Sequence, residues 1–320
     1  VLNTKKLKFL FQDKLIVQKN NTDILIIISS YANKNKKTMN KSLRILGIVW
    51  FGFLSFFSAS CTATNPPDSL LFTEKMKELR QINTSTPQMA TQVALSFVGT
   101  PYVGKTLEIN NNETLVVNLR ELDCSTFLET VLSIVLTKKS GEESFQKYKE
   151  ILTTLRYRNG AICGYESRLH YFSDWIHDNE QKGIVKDITR ELGGIEFHKK
   201  INFMSTHSSA YKQLKNDSLM VTKIIETENA LSSRKLFFIP KDSVATIESQ
   251  LSDGMIVGIT SAVDGLDIAH VGFLIRKDGQ IRLLHASSDE GKIVVSTKSL
   301  SEYLSGNKKQ TGIVVIKLNN

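Results

Sequence analysis

From residue 254 to the C-terminus the chain changes rhythm. MIVGI, AHVGFLI, QIRLLHAS, KIVVS and TGIVVIKL are short, rich in β-branched residues and separated by turn signals. Such runs predict an antiparallel sheet. Upstream, STPQMATQVALSFVG predicts a helix, with Thr86 as cap, Pro87 at the first helical position and Gly99 at the stop. Met89, Val93 and Phe97 recur at helical spacing and are expected in the core. A second helix follows Cys124, with Phe127, Leu128, Val131, Leu132, Val135 and Leu136 on one broad apolar face. Helices first and a sheet later give the α+β class. Residues 140–250 are mixed and read as a mostly helical insertion within one domain spanning 81–320.

The N-terminal part does not belong to that domain. The formal charge is +9, yet residues 1–44 hold ten Lys/Arg against Asp13 and Asp23, a net of +8, which leaves about +1 for the rest. The basic charge thus sits in a leader, and a nucleic-acid partner is not indicated. Met39 begins MNKSLRILGIVWFGFLSFFSASC, in which Lys41 and Arg44 precede an apolar stretch from Ile45 to Phe57. That stretch is short for a membrane span and fits a signal segment. It ends in Ser58-Ala59-Ser60 before Cys61, which resembles a bacterial lipoprotein box with Ser58 where Leu is usual. The expectation is an upstream extension over 1–38, a signal or lipoprotein segment over 39–61 with Cys61 as the lipidation site, and a linker over 62–80. Cleavage near Ser60 without a lipid is the alternative. The protein is expected in the cell envelope, periplasmic or held to the membrane only by that lipid.

Three cysteines are present, at 61, 124 and 163. Neither a CxxC nor a His/Cys cluster at metal spacing occurs, which disfavours a structural zinc site. Cys124 and Cys163 could pair in an oxidising compartment, although sequence alone cannot assign that pair. Cys124 sits in LRELDCSTFLETVLSIVLT, where charged residues give way to the apolar helix. With Asp123 as N-cap, Cys124 falls in the first turn, where free N–H groups and the helix dipole favour a thiolate. Against that stands the ordinary reading of a cysteine as a small buried hydrophobe.

A histidine partner would activate the thiol. Of six histidines, two lie on one hairpin, AHVGFLIRKDGQIRLLHASS, with Asp278-Gly279 as its turn. Pairing Lys277 with Gln280 sets 272 opposite 285. His270 and His285 then share a face as diagonal neighbours, with Cβ atoms about 7–8 Å apart. A three-residue loop would separate them. A metal pair or two core histidines are the alternatives, with no third ligand suggested by spacing. Gly272 leaves room for something to approach His270.

GTPYVG (99–104), DCSTF (123–127), AHVGF (269–273) and LLHASS (283–288) together resemble, in that chain order, the papain-like cell-wall hydrolases of the NlpC type. YRNGAICGY, SRLHYFSDWI and NFMSTH resemble that superfamily's N-acetylmuramoyl-L-alanine amidase-like branch. The resemblance covers about residues 86–300. It departs in the long stretch between Tyr102 and Cys124. It implies a papain-like fold, with the nucleophile helix packed on the C-terminal antiparallel sheet. It also implies Cys124 as nucleophile, His270 as general base and acid, and His285 as the residue orienting His270. Tyr102, Asp123 and Ser125 would line or shape the site, and Arg168, His170, Tyr171, Asp174 and Trp175 would contact substrate. His207 resembles a family position without a derivable role, and His177 and His198 are expected at the surface. The implied reaction hydrolyses the amide between the lactyl group of N-acetylmuramic acid and L-alanine in muropeptides or peptidoglycan fragments, including 1,6-anhydro forms, and needs no cofactor. The same triad would serve a D-glutamyl-diamino acid endopeptidase or an acyltransferase. A non-catalytic cell-wall-binding lipoprotein is the reading from another class.

Overall fold

A computed structural model describes residues 67–82 and 84–319. The expectations for residues 1–61, including Cys61, lie outside the described residues. The described chain forms nine helices and eight strands. In order these are α1 (Asp68–Glu78), α2 (Thr86–Leu95), α3 (Cys124–Ser140), α4 (Phe145–Arg156), α5 (Phe172–Gln181), β1 (Val185–Asp187), β2 (Ile195–Glu196), α6 (Phe203–Thr206) and α7 (Ser218–Ser232). Then follow β3 (Phe237–Pro240), α8 (Val244–Ile247), β4 (Ile256–Ser261), β5 (Ile268–Lys277), β6 (Gln280–Ser287), β7 (Lys292–Ser299), α9 (Leu300–Ser305) and β8 (Gln310–Leu318).

The strands make one antiparallel sheet in the order β2-β3-β8-β4-β5-β6-β7, with β1 also paired to β8. The α+β class and the five C-terminal strands follow the sequence reading. Both faces of the sheet are buried. On one side Ile256, Phe273, Leu284 and Ile316 meet α2 and α3, with α4 packed on α3 behind them. On the other, Val257, Leu274, Leu283 and Val315 meet Leu300 and Leu304 of α9 and Val244 and Ile247 of α8. Double burial explains why these strands read as near-continuous apolar runs rather than as clean alternation.

Two expectations change. The linker expected over 62–80 is helical from Asp68 to Glu78, because Phe72 and Met76 enter the core. The Phe72 ring lies 5.1 Å from Tyr148 and 5.6 Å from Phe145 of α4. Its flanking charges had masked this apolar pair. The insertion is mostly helical, but it also gives three strands to the sheet, and β1 and β3 pair with the final strand. These strands of two to four residues are too short to carry a period. At α2 the boundary moves by one: Ser85 occupies the cap position, Pro87 is the second residue, and the helix ends at Leu95 before turns lead to Gly99.

The β5–β6 hairpin has the expected register, Lys277 opposite Gln280 through Phe273 opposite Leu284. Asp278 and Gly279 have φ of 53° and 78°, the pair of positive values that a two-residue type I′ turn requires. Gly272 does leave room, but for the neighbouring strand: a Cβ there would lie 2.9 Å from the Leu284 carbonyl oxygen and 3.0 Å from His285 Cβ. Gly272→Ala is therefore expected to destabilise the fold by about 1–3 kcal/mol through overpacking. Denaturant unfolding of the two proteins measures it, and equal midpoints would refute the close approach.

Candidate active site

The tip of α3 is fixed locally. Asp123 accepts a hydrogen bond from Thr126 N at 2.8 Å, and Thr126 Oγ1 accepts from Asp123 N at 2.8 Å, a reciprocal capping box. Cys124 is thus the first helical residue. Phe127 N and Thr126 N are taken by Asp123, which leaves the N–H of Cys124 itself pointing out of the helix. Gly141, with φ of 76°, closes the other end, and Lys138 and Lys139 complement the dipole there. The apolar face of α3 lies on the sheet, with Phe127 edge-on to Phe273 of β5 at 5.7 Å.

Residues 99–103 place Tyr102. Gly99 N and Tyr102 N donate to Ile293 and Gly291, and Val103 N donates to Leu122. The segment is therefore stitched both to the start of β7 and to the strand-like approach to Cys124. Tyr102 is half-buried, and its hydroxyl pKa is raised by burial, then by proximity to Cys124 and Asp123.

Cys124 and His270 line one cavity of about 80 Å³, together with Ser125, Leu128, Glu129, Leu169, His170, Phe172, Trp175, Ile268, Ala269 and Val271. The thiol receives hydrogen bonding from the backbone of Val271, the residue next to His270. His270 Nε2 and His285 Nδ1 are 2.7 Å apart, with the rings nearly perpendicular. His285 is buried, and Tyr303 of α9 meets it edge-on at 5.4 Å. Of the three side chains expected from the sequence, Cys124 and His270 thus share a cavity, and His270 touches His285.

Burial pushes the Cys124 thiol up to about 11, the Asp123 carboxylate adds to this, and the hydrogen bonds from Val271 and Ser125 act the other way. Burial lowers His270 to about 4 against a small opposing effect of Asp289, and burial and then His270 lower His285 to about 3. These shifts all favour a neutral thiol beside neutral imidazoles. Desolvation and the capping carboxylate thus oppose the thiolate that the helix dipole favours.

The remaining expected residues divide. Ser125, His170 and Trp175 line the cavity, and Asp123 caps. Arg168, Tyr171 and Asp174 lie outside its lining, each held elsewhere. Arg168 pairs with Glu108 at 2.5 Å, Asp174 is clamped by Arg158 and Arg234 at 2.6 and 2.9 Å, and the Tyr171 hydroxyl donates to Glu228 at 2.7 Å. A charged or phenolic residue next to a cavity residue in sequence points away when its neighbour points in. His207 is exposed and stacks on Phe203, His198 is exposed, and His177 is half-buried. Cys124 and Cys163 are both free thiols, so they do not pair. Sequence reasoning missed Glu129 and Tyr303. Glu129 had a visible signal, a lone carboxylate on an otherwise apolar helix, and it is buried against Arg156 at 2.7 Å. Tyr303 had none. Among the described residues no group of three or more His, Cys, Asp or Glu is arranged to hold a metal ion, and no helix is long and apolar enough to cross a membrane.

Comparison with known proteins follows this geometry. A structure of an N-acetylmuramoyl-L-alanine amidase from Bacteroides uniformis superposes with a TM-score of 0.71 at 37% identity, covering 73% of this chain and 99% of that one. A Bacteroides fragilis protein described as a candidate xylanase gives 0.68 at 38% identity, covering 71% and 100%. A Legionella pneumophila protein shares the fold at 23% identity, with a TM-score of 0.61, covering 79% and 96%. Comparison with curated proteins gives no significant match. The family model described as AmiA-like, N-acetylmuramoyl-L-alanine amidase-like, matches residues 92–313. The chain belongs to that amidase-like family.

Proposed function

We propose that the protein is a cysteine-dependent N-acetylmuramoyl-L-alanine amidase of the NlpC-type, papain-like kind, acting on muropeptides or peptidoglycan fragments, with 1,6-anhydro forms among them. The observation that carries this reading is the one cavity that Cys124 and His270 both line, with His285 held 2.7 Å behind His270. His270 donates from Nε2 to His285 Nδ1, which leaves its Nδ1 unprotonated as the base. Cys124 Sγ attacks the lactyl carbonyl carbon while His270 takes the thiol proton. The Cys124 backbone N–H stabilises the oxyanion. The imidazolium then protonates the departing L-alanine nitrogen as the C–N bond breaks, giving a thioester. Water, deprotonated by the same ring, hydrolyses the thioester and restores the thiol. Because the resting groups are neutral, proton transfer accompanies attack. His285 stays an uncharged acceptor that steadies the imidazolium, as the third member of a triad does.

A glycosidase, the reading attached to the Bacteroides fragilis relative, would need two carboxyl groups about 5–9.5 Å apart. Of the residues lining the cavity only Glu129 carries a carboxyl group, and Arg156 engages it. The amidase reading is therefore preferred. The cell envelope is the proposed location, reached through the segment ending at Cys61. N-terminal mass analysis of protein purified from cells should find a chain beginning at Cys61 or close to it; a retained Met39 would count against export.

Products of a defined muropeptide, identified by mass spectrometry, should be the free sugar acid and an intact stem peptide. Shortened stems would point instead to the endopeptidase. Cys124→Ala should abolish turnover, and equal turnover by both proteins would remove the nucleophile. His285→Ala should lower kcat by about 10²-fold or more while leaving KM nearly unchanged. The lowered histidines also set a pH dependence of stability. Unfolded His270 and His285 take up protons near the ordinary value of about 6.5, whereas the folded rings resist until near 4 and 3. The unfolded state therefore binds more protons within that interval, and stability falls as pH drops from about 6.5 towards 4. His270→Asn should flatten this slope in urea titrations at stepped pH, and an unchanged slope would contradict the assignment.

A further inference from the structure

Beyond the reacting groups, the cavity has walls whose chemistry is unused. Leu128, Leu169, Phe172 and Ile268 supply the apolar part of its lining. Trp175 is only 2% exposed and stacks on Phe172 at 5.1 Å, yet its Nε1–H is buried without a hydrogen-bond partner. An unpaired buried donor costs about 1–3 kcal/mol, so it calls for an acceptor. Glu129 sits five residues beyond Cys124 on the same helix, about 7.5 Å along its axis. Its Oε2 accepts from Arg156 Nε, and a carboxylate has lone pairs for more than one donor. His170 uses Nε2 as donor to the Tyr165 carbonyl at 2.8 Å, so its Nδ1 is a bare acceptor.

The charge of this cavity is as telling as its hydrogen bonding. Arg156 already matches Glu129, and burial followed by the nearby Arg168 keeps His170 neutral. A free ammonium or carboxylate entering there would be desolvated without a matching charge, at a cost of several kcal/mol. A neutral group that offers one acceptor, one N–H donor and a small apolar part matches the Trp175 donor, one of the two acceptors and the apolar walls. A cavity of about 80 Å³ has room for a methyl and one amide plane.

We propose that this cavity is a subsite for a methyl-bearing secondary amide of the substrate, with Trp175 Nε1–H donating to its carbonyl oxygen and Glu129 accepting from its N–H. The inference rests on the amidase reading above and adds what is held next to the scissile bond. Two parts of a muropeptide have this chemistry: the 2-acetamido group of the sugar, and the alanine methyl with the amide that follows it in the stem.

The test reads Trp175 directly. The chain has two tryptophans, Trp50 and Trp175, so the Trp175 indole resonance is the one missing from a Trp175→Phe sample. Indole-¹⁵N-labelled Cys124→Ala protein is titrated with N-acetylmuramoyl-L-alanyl-D-glutamate, with its analogue bearing a free 2-amino group, with N-acetylmuramoyl-L-alanine, and with N-methylacetamide. The full ligand should move the Trp175 N–H resonance downfield in a saturable way. Loss of that shift with the 2-amino analogue assigns the sugar acetamido group; its loss with N-acetylmuramoyl-L-alanine assigns the stem amide. Saturable binding that leaves the Trp175 resonance in place with every ligand overturns the subsite while sparing the amidase. A shift with N-methylacetamide alone supports the subsite and counts against the amidase. In turnover by Cys124-containing protein, Trp175→Phe should cut the preference in kcat/KM for the occupying group by about tenfold, and an unaltered preference would overturn the subsite.

Discussion

The structure turns on how the tip of α3 is held against β5. A helix end has unpaired backbone groups that must find partners or face water. Here Asp123 and Thr126 satisfy two of them in the capping box, and the Cys124 thiol is tied to the backbone of Val271. Phe127 locks the same turn onto Phe273. The position of Cys124 is therefore over-determined by a cap, a hydrogen bond and a packed aromatic pair, none of which belongs to the chemistry proposed for it. Helix and sheet are each ordinary. Their junction gives the first turn of one a fixed address on the other.

That junction also explains the electrostatics. A sulfur seated between a helix tip and a sheet is desolvated, and its closest fixed charge is a carboxylate. The dipole alone would favour a thiolate, but it is worth typically 0.3–1 kcal/mol at an exposed end. Burial with a neighbouring anion is larger and of opposite sign. The same burial keeps His270 and His285 neutral and their shared proton in place. In the proposed reaction such a site would develop charge only along the path, where preorganised donors act most strongly.

Much of this was legible in the sequence because it rests on local rules. Asp278-Gly279 dictates a two-residue turn, the turn dictates the register, and the register brings His270 to His285. The broad face of α3 was equally plain, since six apolar residues recur at helical spacing. What escaped has non-local causes. Phe72 and Met76 look like a linker's stray apolar residues until α4 supplies Phe145 and Tyr148. β1 and β3 exist only because β8 pairs with them. Arg168, Tyr171 and Asp174 lie beside cavity residues in the chain, but their partners at 108, 228, 158 and 234 come from distant segments and turn them away. Tyr303 reaches His285 from a helix of six residues that no pattern linked to the site.

The stretch between Tyr102 and Cys124 has little backbone pairing between 105 and 117. It is fastened instead by side chains from other elements: Arg168 grips Glu108, the Tyr157 hydroxyl donates to Glu113, and Arg156 Nη1 donates to the Val116 carbonyl. A loop moored at three points can be re-cut by exchanging its moorings, with no strand or helix to rebuild. Diversification within such a fold thus has an inexpensive route, in which the approach to Cys124 is retailored while the helix tip beneath it stays where it is.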